Sequence, residues 1–235
     1  MRWTREALAV FVREWRAEWR TRVALSSVGL FAVIALVLIA LALRDKTGNV
    51  LDTGTRPVAA SALLWVVLFF TAATGLGRAF VQEEERGTAL ALRLMARGGA
   101  VWTGKFAANA SLLLLLAALA TPILIGILDV PTKSVNLVLL VCVLGLGCVG
   151  IAAVFTTTSA LVAQASVKGG LLAALSFPVL IPLLLAGVHG TKAAFGVGNP
   201  HALFALGVGD LQVLVSYAVI AVTTSLLLFD FVWND

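Results

Sequence analysis

Six stretches of the chain, residues 23–43, 58–77, 106–128, 135–163, 170–188 and 211–229, are nearly unbroken runs of Leu, Val, Ala, Ile and Phe. Each is close to or longer than the roughly 20 apolar residues a helix needs to cross a bilayer. The pattern therefore predicts an all-α integral membrane protein with six transmembrane helices. The fourth run is long for a perpendicular span and carries Gly145, Gly147 and Gly150, which predicts tilt or close packing against a neighbour. Pro122, Pro178 and Pro182 lie inside runs, where each removes a backbone donor and predicts a kink.

Two segments break the pattern differently. In residues 1–22, Ala7, Phe11, Trp15 and Trp19 recur every four positions and continue to Val23, with Leu8 and Val12 beside them and Arg2, Arg5, Arg13, Arg16 and Arg20 on the other side. This spacing predicts an amphipathic helix lying in the membrane interface, with indoles at headgroup level and arginines toward anionic lipid. Residues 78–105, between the second and third runs, read as a cytoplasmic connection. It opens with the acidic cluster Glu83-Glu84-Glu85, continues through Arg86-Gly87-Thr88 to Leu90, Leu92 and Leu94, and ends at the pair Gly98-Gly99, which predicts a break before the third span. A short, partly apolar helix with a charged start suits docking into another protein's groove; the alternative is a solvated loop whose charges keep it out of the bilayer. The domain plan is then an interfacial helix over 1–22, a six-helix permease domain over 23–229 with the loop 78–105, and a short tail over 230–235.

Composition agrees with the pattern and narrows the function. Of 235 residues, 60% are hydrophobic and 12% charged, about half the charge of a soluble domain. None of the twelve acidic residues sits mid-span, where a proton relay would need one, so work against a gradient would draw on another subunit. Of the 17 Lys and Arg, twelve fall in the N-terminal segment, in 78–105 and at Lys168; the other five (Arg44, Lys46, Arg56, Lys133, Lys192) fall on the opposite side. The positive-inside rule places both termini in the cytoplasm, and the long charged start argues against a cleaved signal peptide. Cys142 and Cys148, six residues apart in one run, read as core packing rather than as a metal or disulfide pair.

One motif asks for a nucleotide. "GAVWTGKF", residues 99–106, has the glycine and lysine spacing of a phosphate-binding loop, but Phe106 stands where a Ser or Thr would hold magnesium. The flanking "LRLMARG" offers no strand and a membrane span follows, so the match reads as chance and ATP hydrolysis is expected in a partner. An intramembrane enzyme is disfavoured because the spans offer no His, Asp, Glu or Lys to activate a nucleophile. Nothing in the chain suggests nucleic-acid binding.

The chain resembles the CcmB family, the B-subunit permeases of the cytochrome c maturation system, of ABC-2 type. The resemblance rests on "FVQEEERGTALALRL", with Glu83, Glu84, Glu85, Gly87, Thr88, Leu92 and Leu94 in place; on Lys105 near the start of the third span; and on "KGGLLAALSFPVLIPLLL", where Lys168, Gly169, Gly170, Pro178 and Pro182 fit. Ala89 stands where the family usually has leucine, and no proline follows near Ala96. The resemblance implies an ABC-2-type permease fold in a bacterial inner membrane and a separate CcmA-like cytoplasmic ATPase docking on 83–94. It also implies CcmC-like and CcmD-like membrane partners, a CcmE-like heme chaperone released by ATP, heme as cargo, and room for a homodimer. His189 and His201, the chain's two histidines, are the candidate heme contacts, although neither lies in a tryptophan-rich motif and ordinary loop histidines are the alternative reading. A same-class alternative is an exporter of lipid, polysaccharide or drug.

Overall fold

The computed structural model describes residues 2–21, 23–42, 54–76, 80, 83, 87, 96–131, 135–163, 171–197 and 200–234. Among them the chain forms seven helices: α1 (Arg2–Thr21), α2 (Val23–Ala42), α3 (Arg56–Gly75), α4 (Gly98–Leu128), α5 (Leu137–Ala163), α6 (Leu171–Ala194) and α7 (Pro200–Asn234). Stretches of α3 to α7 are long and apolar enough to cross a membrane, and the outward faces are themselves apolar, as at Val138, Val141, Val219 and Ile220. The chain is a multi-pass, all-α membrane protein. α2, at 20 residues, is about 30 Å long and coincides with the first expected span.

α5 is the hub, packed against α4, α6 and α7, while α3 packs on α2, α4 and α6. Apolar contact alone does not select partners among helices already dissolved in lipid, so close approach at small residues and buried polar contacts carry the specificity. The indole of Trp65 on α3 is 1% exposed and enters a slot made by Gly147 of α5 and Gly187 of α6. A Cβ at those positions would lie 2.0 Å and 2.5 Å from its ring. Its Nε1–H donates to Thr191 Oγ1 at 2.9 Å, closing the slot with a hydrogen bond. Cys148 is buried in the same hub as expected, but Cys142 is exposed, because the two point to different faces of α5.

Both prolines of α6 lie inside the helix, as expected, with their rings outward. Tyr217 of α7, the chain's one tyrosine, donates its hydroxyl to the Val179 carbonyl at 2.6 Å. A neighbouring helix thus supplies a donor beside the Pro178 carbonyl, which Pro182 leaves without its ladder N–H. Tyr217→Phe is expected to cost about 1 kcal/mol, read as a fall of a few degrees in the Tm of the detergent-solubilised chain. An unchanged Tm would mean that the Val179 carbonyl needs no outside donor.

Three helices extend beyond the apolar runs. α4 starts at Gly98 rather than 106, α6 runs to Ala194, and α7 starts at Pro200 and continues to Asn234, through most of the expected tail. Residues 98–105 are therefore helix and not loop. Gly98 and Gly99, read as a break, are the first residues of α4, and further along a Cβ on Gly104 would sit 2.6 Å from the Val10 Cβ and 2.7 Å from the Ala7 carbonyl. Only glycine lets α1 lie this close across α4.

α1 is amphipathic as expected, but it has three faces. Ala7 and Val10 are buried against α4, whereas Leu8 and Trp19 on the next face are 61% and 54% exposed. Phe11 stacks on Trp15 at 6.0 Å between ring centroids, continuing that outward apolar face. Ala7 thus belongs to the protein-facing side and not to the aromatic stripe. Successive helices alternate in direction, so the start of α4, the end of α7 and α1 gather at one end of the bundle. Arg56 and Asp129, paired at 2.8 Å, mark the other.

Candidate functional site

At the end where α1 crosses α4, four charged side chains from three segments converge. Lys105, on the first part of α4, is 1% exposed. Its Nζ donates to Glu14 Oε1 of α1 at 2.9 Å and to Glu83 Oε1 of the α3–α4 connection at 3.3 Å. Arg13 of α1 donates to the same Glu83 oxygen and lies 3.5 Å from Glu14 Oε1. Two cations and two carboxylates alternate, so the cluster is neutral and each buried charge has an opposite neighbour. That pairing is what allows charge to be taken out of water.

Aromatic rings close the cluster from the apolar side. The Lys105 ammonium lies 5.1 Å from the centroid of Phe80, within cation–π range. Phe80 in turn packs on Phe229, near the end of α7, at 5.3 Å. One lysine therefore touches or indirectly links α1, the connection after α3, α4 and the end of α7. Beside it, Trp102 stacks on Phe106 at 4.9 Å and donates Nε1–H to Thr157 Oγ1 of α5 at 3.0 Å. Asn109 adds a bond to Thr156 Oγ1 at 2.9 Å, so α4 is locked to α5 a turn or two further on.

Lys105 lies near the start of the third spanning helix, as expected, but its side chain is buried. The lysine faces inward because Gly104 brings α1 close enough to supply Glu14, a partner 91 residues away in sequence. The nucleotide-like octapeptide is helical throughout. Its amides enter the helix ladder, beginning with those of Ala100 and Val101 bonded to the Arg97 carbonyl, and its lysine is engaged by carboxylates rather than open to a phosphate.

Of the other expected site residues, Glu83 is buried, with its carboxylate engaged inside the chain, and Gly87 is exposed with φ +66°. Glu84, Glu85, Arg86, Thr88, Leu90, Leu92 and Leu94 lie outside the described residues, as do Lys168, Gly169 and Gly170. Pro178 and Pro182 are on the outer face of α6. His189 is exposed near the opposite end of the bundle; His201 falls in the first turn of α7, with its side chain outside the described ones. Among the described residues no three His, Cys, Asp or Glu side chains gather as a metal site. Sequence reading missed Glu14 and Arg13 as site residues. The available signal was an acid on the helix face otherwise given to small residues, at Ala7, Val10 and Glu14.

No curated protein and no solved structure matches the chain. The family model described as CcmB protein matches residues 5–228, nearly the whole length and including α1, the connection after α3 and both α6 prolines. The chain thus belongs to the CcmB family, the heme-exporter permeases of c-type cytochrome maturation.

Proposed function

We propose that this permease is driven by a separate cytoplasmic ABC ATPase that docks on the connection between α3 and α4, and that the work is used to release a heme-loaded chaperone on the other side. The observation that carries the reading is the double tether of Glu83. This carboxylate of the connection is held by Lys105 of α4 and Arg13 of α1. A force that reaches Glu83 would therefore act on the interfacial helix and a spanning helix together. Glu83 acts inside this tether, leaving Glu84, Glu85, Leu90, Leu92 and Leu94 to meet the ATPase, with Arg86 and Thr88 between them. The excess of Lys and Arg at this end supports an inner-membrane orientation with both termini cytoplasmic. CcmC-like and CcmD-like membrane proteins and a CcmE-like chaperone are the proposed companions.

Charge complementarity mainly sets association rate and partner choice, whereas buried apolar anchors hold the complex. Co-purification of the ATPase with Glu84→Lys/Glu85→Lys is expected to fall in a salt-dependent way, and with Leu92→Asp to fall at every salt concentration. Both variants should still insert in normal amounts, since neither touches a span. Undiminished recovery of the ATPase with both would move the coupling surface to Lys168 or to α1.

A further inference from the structure

α7 is the least enclosed of the apolar spans: 17% of its stretch Val208–Phe229 is buried within the chain, against 39–56% for the other four. Its outward face is also the one that does not suit lipid. Gly209, Gln212, Ser216, Val219, Thr223 and Leu227 recur at intervals of three and four, which sets them along one stripe of the helix. The amide of Gln212 and the hydroxyls of Ser216 and Thr223 are exposed and have no hydrogen-bond partner among the described residues. By contrast, the hydroxyls of Thr156, Thr157, Thr158 and Ser159 on α5 each bond back to a carbonyl of their own helix. The outward faces of α2 and α6 are apolar, as at Leu30, Ile34, Ile181 and Leu185. Ser216 and Thr223 lie roughly 12 and 22 Å along the span from Val208, at depths where acyl chains offer no hydrogen bond. Polar side chains at such depths pack against protein rather than lipid.

We propose that this stripe is an interface with a second copy of the chain, α7 against α7, in which Gln212 pairs with its own equivalent. The resemblance left room for a homodimer; the stripe gives it a face, independently of the coupling reading. Two copies in one membrane share an orientation, so their twofold axis runs along the membrane normal. The two α7 helices then run parallel and same-numbered residues meet at the same depth. That pairing suits these side chains. A carboxamide both donates and accepts, so two Gln212 amides bond reciprocally, and the hydroxyls of Ser216 and Thr223 have the same self-complementary chemistry. No charge meets its like: Asp210, the one charged residue of the span, is turned to α6, its Cβ 3.5 Å from where a Cβ on Gly190 would sit. At Gly209 nothing lies within 4 Å of the place a Cβ would take, which leaves a second backbone room to approach. The stripe crosses most of the bilayer, the footprint of a spanning helix rather than of a headgroup.

The test is oxidative cross-linking of the full chain in membrane vesicles, with single cysteines placed in a Cys142→Ser background. Gln212→Cys, Ser216→Cys and Thr223→Cys should each give a disulfide-linked pair of this chain. Val215→Cys and Leu228→Cys, exposed on α7 but turned off the stripe, should not. Energy transfer between labelled copies in vesicles then measures the association itself. An interhelical hydrogen bond in lipid is worth on the order of tenfold at most, so Gln212→Leu should weaken association by roughly three- to tenfold. Ser216→Phe should abolish it by holding the helices apart, whereas Val215→Phe should leave it unchanged. All these side chains are exposed, and an unchanged Tm of the dispersed chain verifies that the fold is kept. Equal cross-linking on and off the stripe would mean random collision and would overturn the proposal. So would cross-links to a different membrane protein, which would make that protein the occupant, or association indifferent to both Gln212→Leu and Ser216→Phe.

Discussion

Lys105→Met is expected to be among the most damaging single substitutions in this chain. Methionine preserves the length and apolar stem of the lysine and its packing on Phe80, so the change isolates the charge. It leaves Glu14 and Glu83 facing each other with Arg13 as their remaining cation. Removing one partner of a buried ion pair costs up to about 3–5 kcal/mol, and here a single cation is left for two carboxylates. For a chain of this size that corresponds to a fall in Tm on the order of 10 °C. Protease access at α1 and at the connection should rise in parallel, since both lose their tether to α4. The discriminating measurement is the double variant Lys105→Met/Glu83→Gln. It restores a neutral cluster and should recover much of the lost stability while leaving the connection untethered. Full stability of Lys105→Met alone would show that the cluster holds nothing together.

Gly147→Ala is expected to act as strongly, for the opposite reason. Here an atom is added where there is no room: the new Cβ would meet the Trp65 ring at 2.0 Å. The indole cannot swing aside easily, being enclosed by α3, α5 and α6 and bonded to Thr191. Overpacking typically costs about 1–3 kcal/mol and more where neighbours are rigid, and in a bundle held by close helix approach it falls on the packing itself. The variant should show reduced monodisperse recovery from detergent and a lowered Tm. Trp65→Leu alone should also destabilise, by less than the roughly 3–5 kcal/mol of a buried Trp→Ala truncation. Combined with Gly147→Ala, however, it should cost less than the two changes summed. Additive losses in this double-mutant cycle would mean that the glycine and the indole do not oppose one another as the geometry requires.

The two predictions draw on features of unequal legibility. Gly147 was already marked by its place in a glycine-bearing span as a site of close packing, although Trp65 as its opponent was not readable. Lys105 was visible only as a basic residue near the start of a span. In membrane sequences such residues ordinarily mark the water boundary, and nothing local distinguishes a lysine turned inward. Likewise, Gly98 and Gly99 carry poor helix propensity and read as an interruption. Propensity is a weak term beside tertiary packing, and α1 lying across Gly104 reverses the inference.

The sequence by itself determined the all-α membrane class, the approximate positions of the spanning helices, the amphipathic character of α1 and the resemblance to the CcmB family. The first three depend on terms that act residue by residue: transfer of apolar side chains into lipid, internal satisfaction of backbone hydrogen bonds and a periodicity of 3.6; the resemblance rests on short motifs at fixed positions. Only the tertiary structure decided that α1 has three faces rather than two, that Glu83 is tethered within the chain, that Trp65 is gripped by two glycines, and that Lys105 is buried among carboxylates 22 and 91 residues away. Inside a bilayer these pairings are not chosen by hydrophobicity, which every helix already satisfies. They are chosen by which small residues let backbones approach and by which buried charges meet an opposite one, and both depend on contacts between segments far apart in the chain.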